Sequence, residues 1–391
     1  MTTTCNSINL DQLNQYMEEW IDRNTALARL GVRQQTLYAY VSRGKIGVRP
    51  DPDDSRRSLY AVNDIETLRL RNKQGRARAD VASSAMSFGE PSLETSISTI
   101  HHGRLVYRGI DAASLAETAT WESAAALLWE SDRSVGLSAD RPPPADDPFV
   151  AVASLVSQSY PGLGRSESKL LGDAELAISW LATGLGAEFA PGPLHERLAR
   201  GWQLDGAFSD ALRRALILLA DHELNASTFA VRVAASTGAP MSACILAGLS
   251  ALSGPWHGGA GAAAIALFDD ARRNGAAAAI RQTLSAHGHL PGFGHKLYPT
   301  GDPRAIVLFD ALPQDPLVDA LRAEAEEVCG LRPNVDFALA ALTRLSGLSQ
   351  HTPFRLFALG RSIGWVAHAA EQLKERRLIR PRAHYVGKLA D

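Results

Sequence analysis

Ala and Leu recur at helical spacing along most of the chain, and nothing else in the sequence constrains the fold as strongly. Segments such as Asp210–Ala220 and Asp319–Val328 place apolar side chains three and four residues apart, on one face of a helix. Alternating Val/Ile/Thr-rich runs, which mark strands, are scarce. The clearest strand candidate is Arg104–Tyr107, between Gly103 and Gly109. The apolar run Met241–Leu252 is too short to span a bilayer and contains Ser242 and Ser250, so it predicts a buried helix. A chain of 391 residues, 46% apolar, can bury a sizeable core and predicts two or three domains.

Three stretches interrupt the helical pattern. Gln74–Ala85 turns from basic to small and polar and reads as a linker. Arg141–Pro148 (RPPPADDP) reads as a proline-rich turn. Leu290–Arg304 holds Gly292, Gly294, Gly301 and three prolines, and reads as a loop between helices. Loops of this kind often carry function when a rigid scaffold holds them. The net charge of −2 singles out neither nucleic acid nor membrane as a partner of the whole molecule. The charge is uneven, however. Residues 1–80 hold 13 Lys/Arg against 10 Asp/Glu, a net of +3, and the remainder holds 27 against 32, a net of −5. Cys5, Cys244 and Cys329 form no CxxC pair, so neither a disulfide framework nor a zinc site is expected. The N-terminus lacks a basic stretch followed by an apolar run. No signal peptide is therefore expected, and a reducing cytoplasm fits.

Residues 23–70 read as helix, tight turn, helix, hairpin, helix. Thr25–Leu30 is followed by Gly31-Val32, where glycine permits the turn. The stretch RQQTLYAYVSRGKI predicts a second helix with Leu37, Tyr40 and Val41 on one face. GVRPDPDDSRRSLY predicts a hairpin wing, and Asp64 is expected to cap a last helix carrying Leu68. This order resembles the winged helix-turn-helix of MerR-type and excisionase-type domains, with DNA as the implied partner and Arg33 and Arg43 as candidate contacts. The alternative is a small helical docking domain with solvated arginines. Asp51, Asp53 and Asp54 in the wing count against tight phosphate contact.

Chemistry concentrates in four later segments: ADHELNASTF from Ala220, SGPWHGGA from Ser253, PGFGHKLYPTGDPR from Pro291 and LRPNVDF from Leu331. Zinc spacing does not link their histidines. His257 and His295 adjoin glycines that let a ligand or backbone approach closely. Taken singly, each imidazole reads as a satisfied structural residue. Several in such settings, together with Asp336, point to a site. These segments, with STIHHGRLVYRG from Ser98 and FRLFALGRSIGWVAHAAEQ…IRPRAHYVG from Phe354, resemble the citrate synthase family in order and separation over about residues 88–391.

The resemblance implies an all-α fold with a large and a small helical domain behind the helix-turn-helix-like segment. The implied boundaries are 1–80 for the N-terminal domain and linker, 85–258 for the first part of the large domain, 259–346 for the small domain and 347–391 for the rest of the large one. It implies a homodimer that condenses acetyl-CoA with oxaloacetate to citrate, with propionyl-CoA and 2-methylcitrate as the alternative. Asp336 corresponds to the base, His257 to the donor at the thioester oxygen and His295 to the donor at the oxo-acid carbonyl. His222, Arg304 and Arg361 correspond to oxo-acid ligands, and Arg380 to an arginine supplied by the partner subunit. Neither a metal nor a redox cofactor is implied, since acyl-CoA is a substrate.

These residue types suit the reaction. A carbon acid beside a thioester is weak, so a carboxylate base needs a hydrogen-bond donor at the thioester oxygen. Guanidinium forks bind a dicarboxylate at two points each. Arg361 lies in an apolar helical stretch, where an unpaired charge is costly, so an anionic ligand or a buried acid is expected beside it. Three departures from the family pattern bear on acyl-chain preference: Lys296 after His295, a short segment between Glu130 and Ala220, and FALAALTRL after Asp336. A rival organisation is a DNA-binding regulator whose body only senses metabolites. The intact set Asp336, His257 and His295 argues against it, since a sensor has no need of the base.

Overall fold

The computed structural model describes residues 20–32, 34–42, 45–52, 54, 57–74, 93–137, 142–383 and 387, without the side chains of 69–74. The chain divides into two compact units, Leu93–Arg380 and a smaller one drawn from Met1–Ser92 and Pro381–Asp391. The fold is mostly helical, with two small three-stranded sheets among the described residues.

In the smaller unit, β1 (Trp20–Asp22) leads into α1 (Arg23–Leu30), then α2 (Gln34–Ser42), β2 (Val48–Pro50), β3 (Ser58–Ala61) and α3 (Val62–Gln74). The predicted order of helix, turn, helix, hairpin and helix is present. The strand β1, unforeseen in the sequence, pairs antiparallel with β3, giving the order β1-β3-β2. Asp22 caps α1 by accepting from the N–H groups of Asn24 (2.8 Å) and Thr25 (3.2 Å). Gly31, at φ +63°, ends it. Ala26, Leu30, Leu37, Ile46, Tyr60, Ile65 and Leu68 form the core. One expectation fails. α3 starts at Val62, so Asp64 lies within its first turn, and its carboxylate accepts from Gly47 N–H (2.8 Å) instead of capping the helix.

The larger unit opens with β4 (Ser98–His101), β5 (Arg104–Tyr107) and β6 (Ile110–Asp111), an antiparallel sheet containing the expected strand. Helices follow: α4 (Ala112–Thr118), α5 (Trp121–Trp129), α6 (Pro148–Val156), α7 (Glu167–Gly184), α8 (Leu194–Gly201), α9 (Ser209–Leu218), α10 (Ala226–Ser236) and α11 (Met241–Leu252). The chain continues through α12 (Pro255–Gly258), α13 (Ala260–Asn274), α14 (Ala276–His287), α15 (Pro303–Phe309), α16 (Pro316–Cys329), α17 (Val335–Leu345) and α18 (Thr352–Glu375). The apolar run from Met241 is α11, buried at Met241, Cys244, Ile245, Leu249 and Leu252. Among the described residues no helix is long and apolar enough to cross a membrane.

Two hydrophobic cores organise this unit. The larger surrounds α18, whose side chains from Leu356 to Ala369 are almost all buried. The second gathers Leu267 and Phe268 of α13, Ile280 of α14, Leu290 and Phe293 of the following loop, Leu321 of α16 and Phe337 of α17. α17 contributes to both cores and carries Asp336, and the loop that carries His295 runs from Leu290 and Phe293 of the second core to α15 of the first.

Candidate active site

The loop between α14 and α15 carries His295, and it is knitted to the approach to α17. Gly294 N–H donates to the Arg332 carbonyl (2.8 Å) and Asn334 N–H to the Gly292 carbonyl (2.8 Å). The Asn334 amide donates to the Gly294 carbonyl (2.9 Å), while its oxygen accepts from Asp336 N–H (3.0 Å) and so caps α17. Gly292 has φ +81°, and a Cβ there would lie 2.8 Å from the Cβ of Phe337. Only glycine allows this approach. The half-buried Asp336 is thereby fixed in the first turn of α17.

Asp302 is the hub of the site. It caps α15 by accepting from Arg304 N–H (3.0 Å), and it takes Arg304 Nε (2.9 Å) and Nη2 (2.8 Å) in a two-point pair. Its Oδ2 also accepts from Val335 N–H (3.0 Å). A single carboxylate, 2% exposed, therefore holds both Arg304 and the residue before Asp336. Arg304 Nη1 makes no hydrogen bond among the described residues.

His222 and His295 stand edge to face with ring centroids 5.4 Å apart, and both adjoin Tyr298. His222 Nε2 lies 3.0 Å from the Tyr298 hydroxyl. Leu297 N–H donates to His295 Nδ1 (3.1 Å), so a neutral His295 carries its proton on Nε2.

His257 belongs to the short α12, and its Nε2 lies 2.9 Å from Ser227 Oγ on α10. Trp365 Nε1 donates to the same oxygen (3.2 Å), which lies 2.8 Å from Asn225 Oδ1. Asn225 Oδ1 already accepts from Thr228 N–H (3.2 Å), so the single Ser227 proton can serve either Asn225 or His257. When it turns to His257 Nε2, the imidazole proton sits on Nδ1, which makes no hydrogen bond among the described residues.

Arg361, one helical turn before Trp365 on α18, is 2% exposed. Its Nε donates to the Leu219 carbonyl (2.9 Å), and its Nη atoms find no hydrogen-bond partner among the described residues. A buried guanidinium with a free fork is a receptor for an anion. Behind it lies the buried Asp221, whose Oδ2 accepts from Ser98 Oγ (2.5 Å) and lies 3.3 Å from His368 Nε2.

The charges around the site set its protonation. Burial, with Arg304, Arg361 and His295, pushes His222 well below the usual imidazole range. Burial and Arg361 lower His257, and burial and Arg304 lower His295. All three are neutral near pH 7, hydrogen-bond donors and acceptors instead of cations. Asp336 moves the other way. Burial pushes its carboxyl up to about 6, against the opposing pull of Arg304. Burial alone would raise Asp302, but the charge and hydrogen bonds of Arg304 hold it below the ordinary carboxylate value.

His222, His295, Arg304 and Asp336 thus form one constellation around Asp302 and Asn334. Arg361 perturbs both His222 and His257, and His257 joins through Ser227 and Trp365. Arg380 is not brought to this group. It is exposed in the segment after α18 and makes no contact with the others among the described residues. Arg33 and Arg43 lie outside the described residues. Sequence reasoning missed Asp302, Asn334, Tyr298, Ser227 and Trp365. Two carried a local signal: an aspartate two before Arg304, and an asparagine two before Asp336, are capping spacings. Among the described residues no three His, Cys, Asp or Glu side chains are grouped to hold a metal ion.

Residues 179–382 match the family described as citrate synthase, C-terminal domain. A putative citrate synthase 2 of Mycobacterium tuberculosis is 30% identical over 325 residues, covering 73% of this chain and 87% of that protein. A 2-methylcitrate synthase of Shewanella oneidensis is 35% identical over 184 residues, 44% of this chain and 49% of that one. Among solved structures, a citrate synthase from Thermoplasma acidophilum in ternary complex with carboxymethyl coenzyme A and oxaloacetate superposes with a TM-score of 0.65. It is 25% identical, and the match covers 79% of this chain and 97% of that one.

Proposed function

Because the chain belongs to the citrate synthase family and is an acyltransferase of that type, we propose that it condenses acetyl-CoA with oxaloacetate and hydrolyses the resulting citryl-CoA to citrate and CoA. The observation that carries this reading is the shared anchor at Asp302. It fixes the distance between a candidate base, Asp336, and a candidate carboxylate receptor, Arg304.

In this scheme Arg361, through its free Nη atoms, and Arg304, through the Nη1 that Asp302 leaves free, hold the oxo-acid carboxylates, with His222 beside them. Asp336 takes a proton from the acyl carbon while His257 donates to the thioester oxygen, so charge develops against a fixed donor. The enol carbon attacks the oxo-acid carbonyl. His295 Nε2–H stabilises the new alkoxide and protonates it. Water then cleaves the thioester. A carboxylate base with a pKa near 6 is a stronger proton acceptor than an ordinary one and is still ionised at pH 7. The exposed Arg380 is assigned to the site of a partner subunit, which makes the working form a homodimer.

The similarity to the Shewanella oneidensis 2-methylcitrate synthase favours a second reading, with propionyl-CoA as acyl donor. One methylene is worth about 1–3 kcal/mol in a hydrophobic pocket. The test is kcat/KM for both thioesters on one preparation, with the products identified by mass spectrometry. A preference of tenfold or more for acetyl-CoA supports the citrate reading, and the reverse preference overturns it in favour of 2-methylcitrate. The metabolite-sensing regulator gains no support from the relatives or from the site.

A further inference from the structure

We propose that Asp221 is the resident counter-ion of Arg361: it balances that charge while the site is empty, leaves the guanidinium fork free, and so sets how tightly the oxo-acid is held. The inference rests on the reading of Arg361 as a carboxylate receptor. Arg304 and Arg361 are each matched by one buried aspartate, in different ways. Asp302 occupies Arg304 at Nε (2.9 Å) and Nη2 (2.8 Å). Asp221, 0% exposed, makes no hydrogen bond to Arg361, whose Nε goes to the Leu219 carbonyl (2.9 Å). Their attraction acts across space. Burial works against the Arg361 charge, and Asp221 is the strongest influence in its favour. Burial works against the Asp221 charge too, but His368, Arg361 and Ser98 together hold its carboxyl below the ordinary carboxylate value.

The surroundings keep Asp221 in place. Ser98 Oγ accepts from Glu223 N–H (3.2 Å) and donates to Asp221 Oδ2 (2.5 Å), and His368 Nε2 lies 3.3 Å from the same oxygen. The Tyr107 hydroxyl accepts from Asp221 N–H (3.2 Å). Oδ1 receives no hydrogen bond among the described residues. It lies against α18 at Gly364, about one turn beyond Arg361, where a Cβ would fall 2.3 Å from it. Glycine is what lets the acid come this close to the helix. A buried carboxylate oxygen without a donor must be offset by nearby positive charge. Asp221→Asn removes that match without changing the size of the side chain. Arg361 is then buried and unpaired in the empty protein, which is costly. An incoming carboxylate relieves the cost and no longer meets the repulsion of Asp221. The variant should therefore be less stable when empty and hold the oxo-acid more tightly, whereas mere damage to the site would weaken binding.

The experiment titrates oxaloacetate into the full-length protein by calorimetry and follows thermal melting with and without it. Asp221→Asn is expected to lower the Kd about tenfold. Empty, it should melt below wild type, and saturation should raise its melting temperature by more than that of wild type. Ser98→Ala frees Oδ2 and lets the carboxylate turn to the Arg361 fork, so the Kd should rise about threefold or more. This second variant leaves no buried charge unpaired and reports on the inference even where Asp221→Asn does not fold. Equal or weaker oxaloacetate binding by Asp221→Asn, or unchanged affinity in Ser98→Ala, overturns the inference while the proposed function stands. A wild type that binds no oxaloacetate overturns both.

Discussion

Replacing Asp302 with asparagine keeps the size of the side chain and removes the hub of the site. Each carboxylate oxygen takes two donors: Oδ1 accepts from Arg304 N and Nε, and Oδ2 from Arg304 Nη2 and Val335 N. An amide turns one of these oxygens into an NH2 group facing two N–H donors. Two of the four hydrogen bonds are lost whichever way it lies, and Arg304, 4% exposed, is left charged and unpaired. Breaking a buried pair from one side costs about 3–5 kcal/mol. The folded-state pKa of Asp302 is depressed, so its contribution is present above the unfolded value near 3.8 and is lost as pH falls through the folded value. Urea unfolding of Asp302→Asn should therefore show the full deficit at pH 7 and a smaller one below pH 4. With the amide nitrogen in the Oδ2 position the Val335 anchor is lost and Asp336 is displaced, and a displacement of 1 Å can cost about a hundredfold in rate. kcat should fall along with a rise in KM for oxaloacetate. A deficit below about 1 kcal/mol at pH 7, with kcat within threefold of wild type, would refute the hub.

Three further outcomes follow from the same contacts. Ser227→Ala removes the hydroxyl whose proton, when turned to His257 Nε2, leaves the imidazole proton on Nδ1, so kcat should drop about 10- to 100-fold with KM for oxaloacetate nearly unchanged; a larger change in KM than in kcat would contradict that role. The folded-state pKa of Asp336 is raised from 3.8 to about 6, so ionising it costs stability as pH rises between those values; Asp336→Asn should be more stable than wild type by up to about 3 kcal/mol at pH 8, with the gap closing below pH 4 in calorimetry. Mixing inactive Arg380→Leu and Asp336→Asn subunits should restore activity through one intact site per mixed dimer; proven subunit exchange without recovery would show that Arg380 does not act across subunits.

The helical architecture was legible because α9, α11 and α16 bury continuous apolar faces, which fixes periodicity in the sequence. β1 was not legible, because Trp20–Asp22 is three residues long and exists only by pairing with β3. Asp64 misled because a capping aspartate and one that accepts from a distant backbone N–H look alike in sequence. The constellation of His222, His295, Arg304 and Asp336 was reached through segment resemblance, not through spacing. Its supports Ser227 and Trp365 were invisible, since their contact spans 138 residues of chain. Arg380 stays apart from the site because no contact among the described residues gathers it.

The central claim is carbon–carbon bond formation with Asp336 as base, and one assay reaches it directly. Purified protein is mixed with oxaloacetate and either acetyl-CoA or propionyl-CoA, and free CoA thiol is followed for wild type and Asp336→Asn. The account predicts thiol release that requires oxaloacetate, yields citrate or 2-methylcitrate, and falls by more than about a thousandfold, over 4 kcal/mol, in the variant. Thiol release that ignores oxaloacetate, or an Asp336→Asn rate within tenfold of wild type, would contradict it.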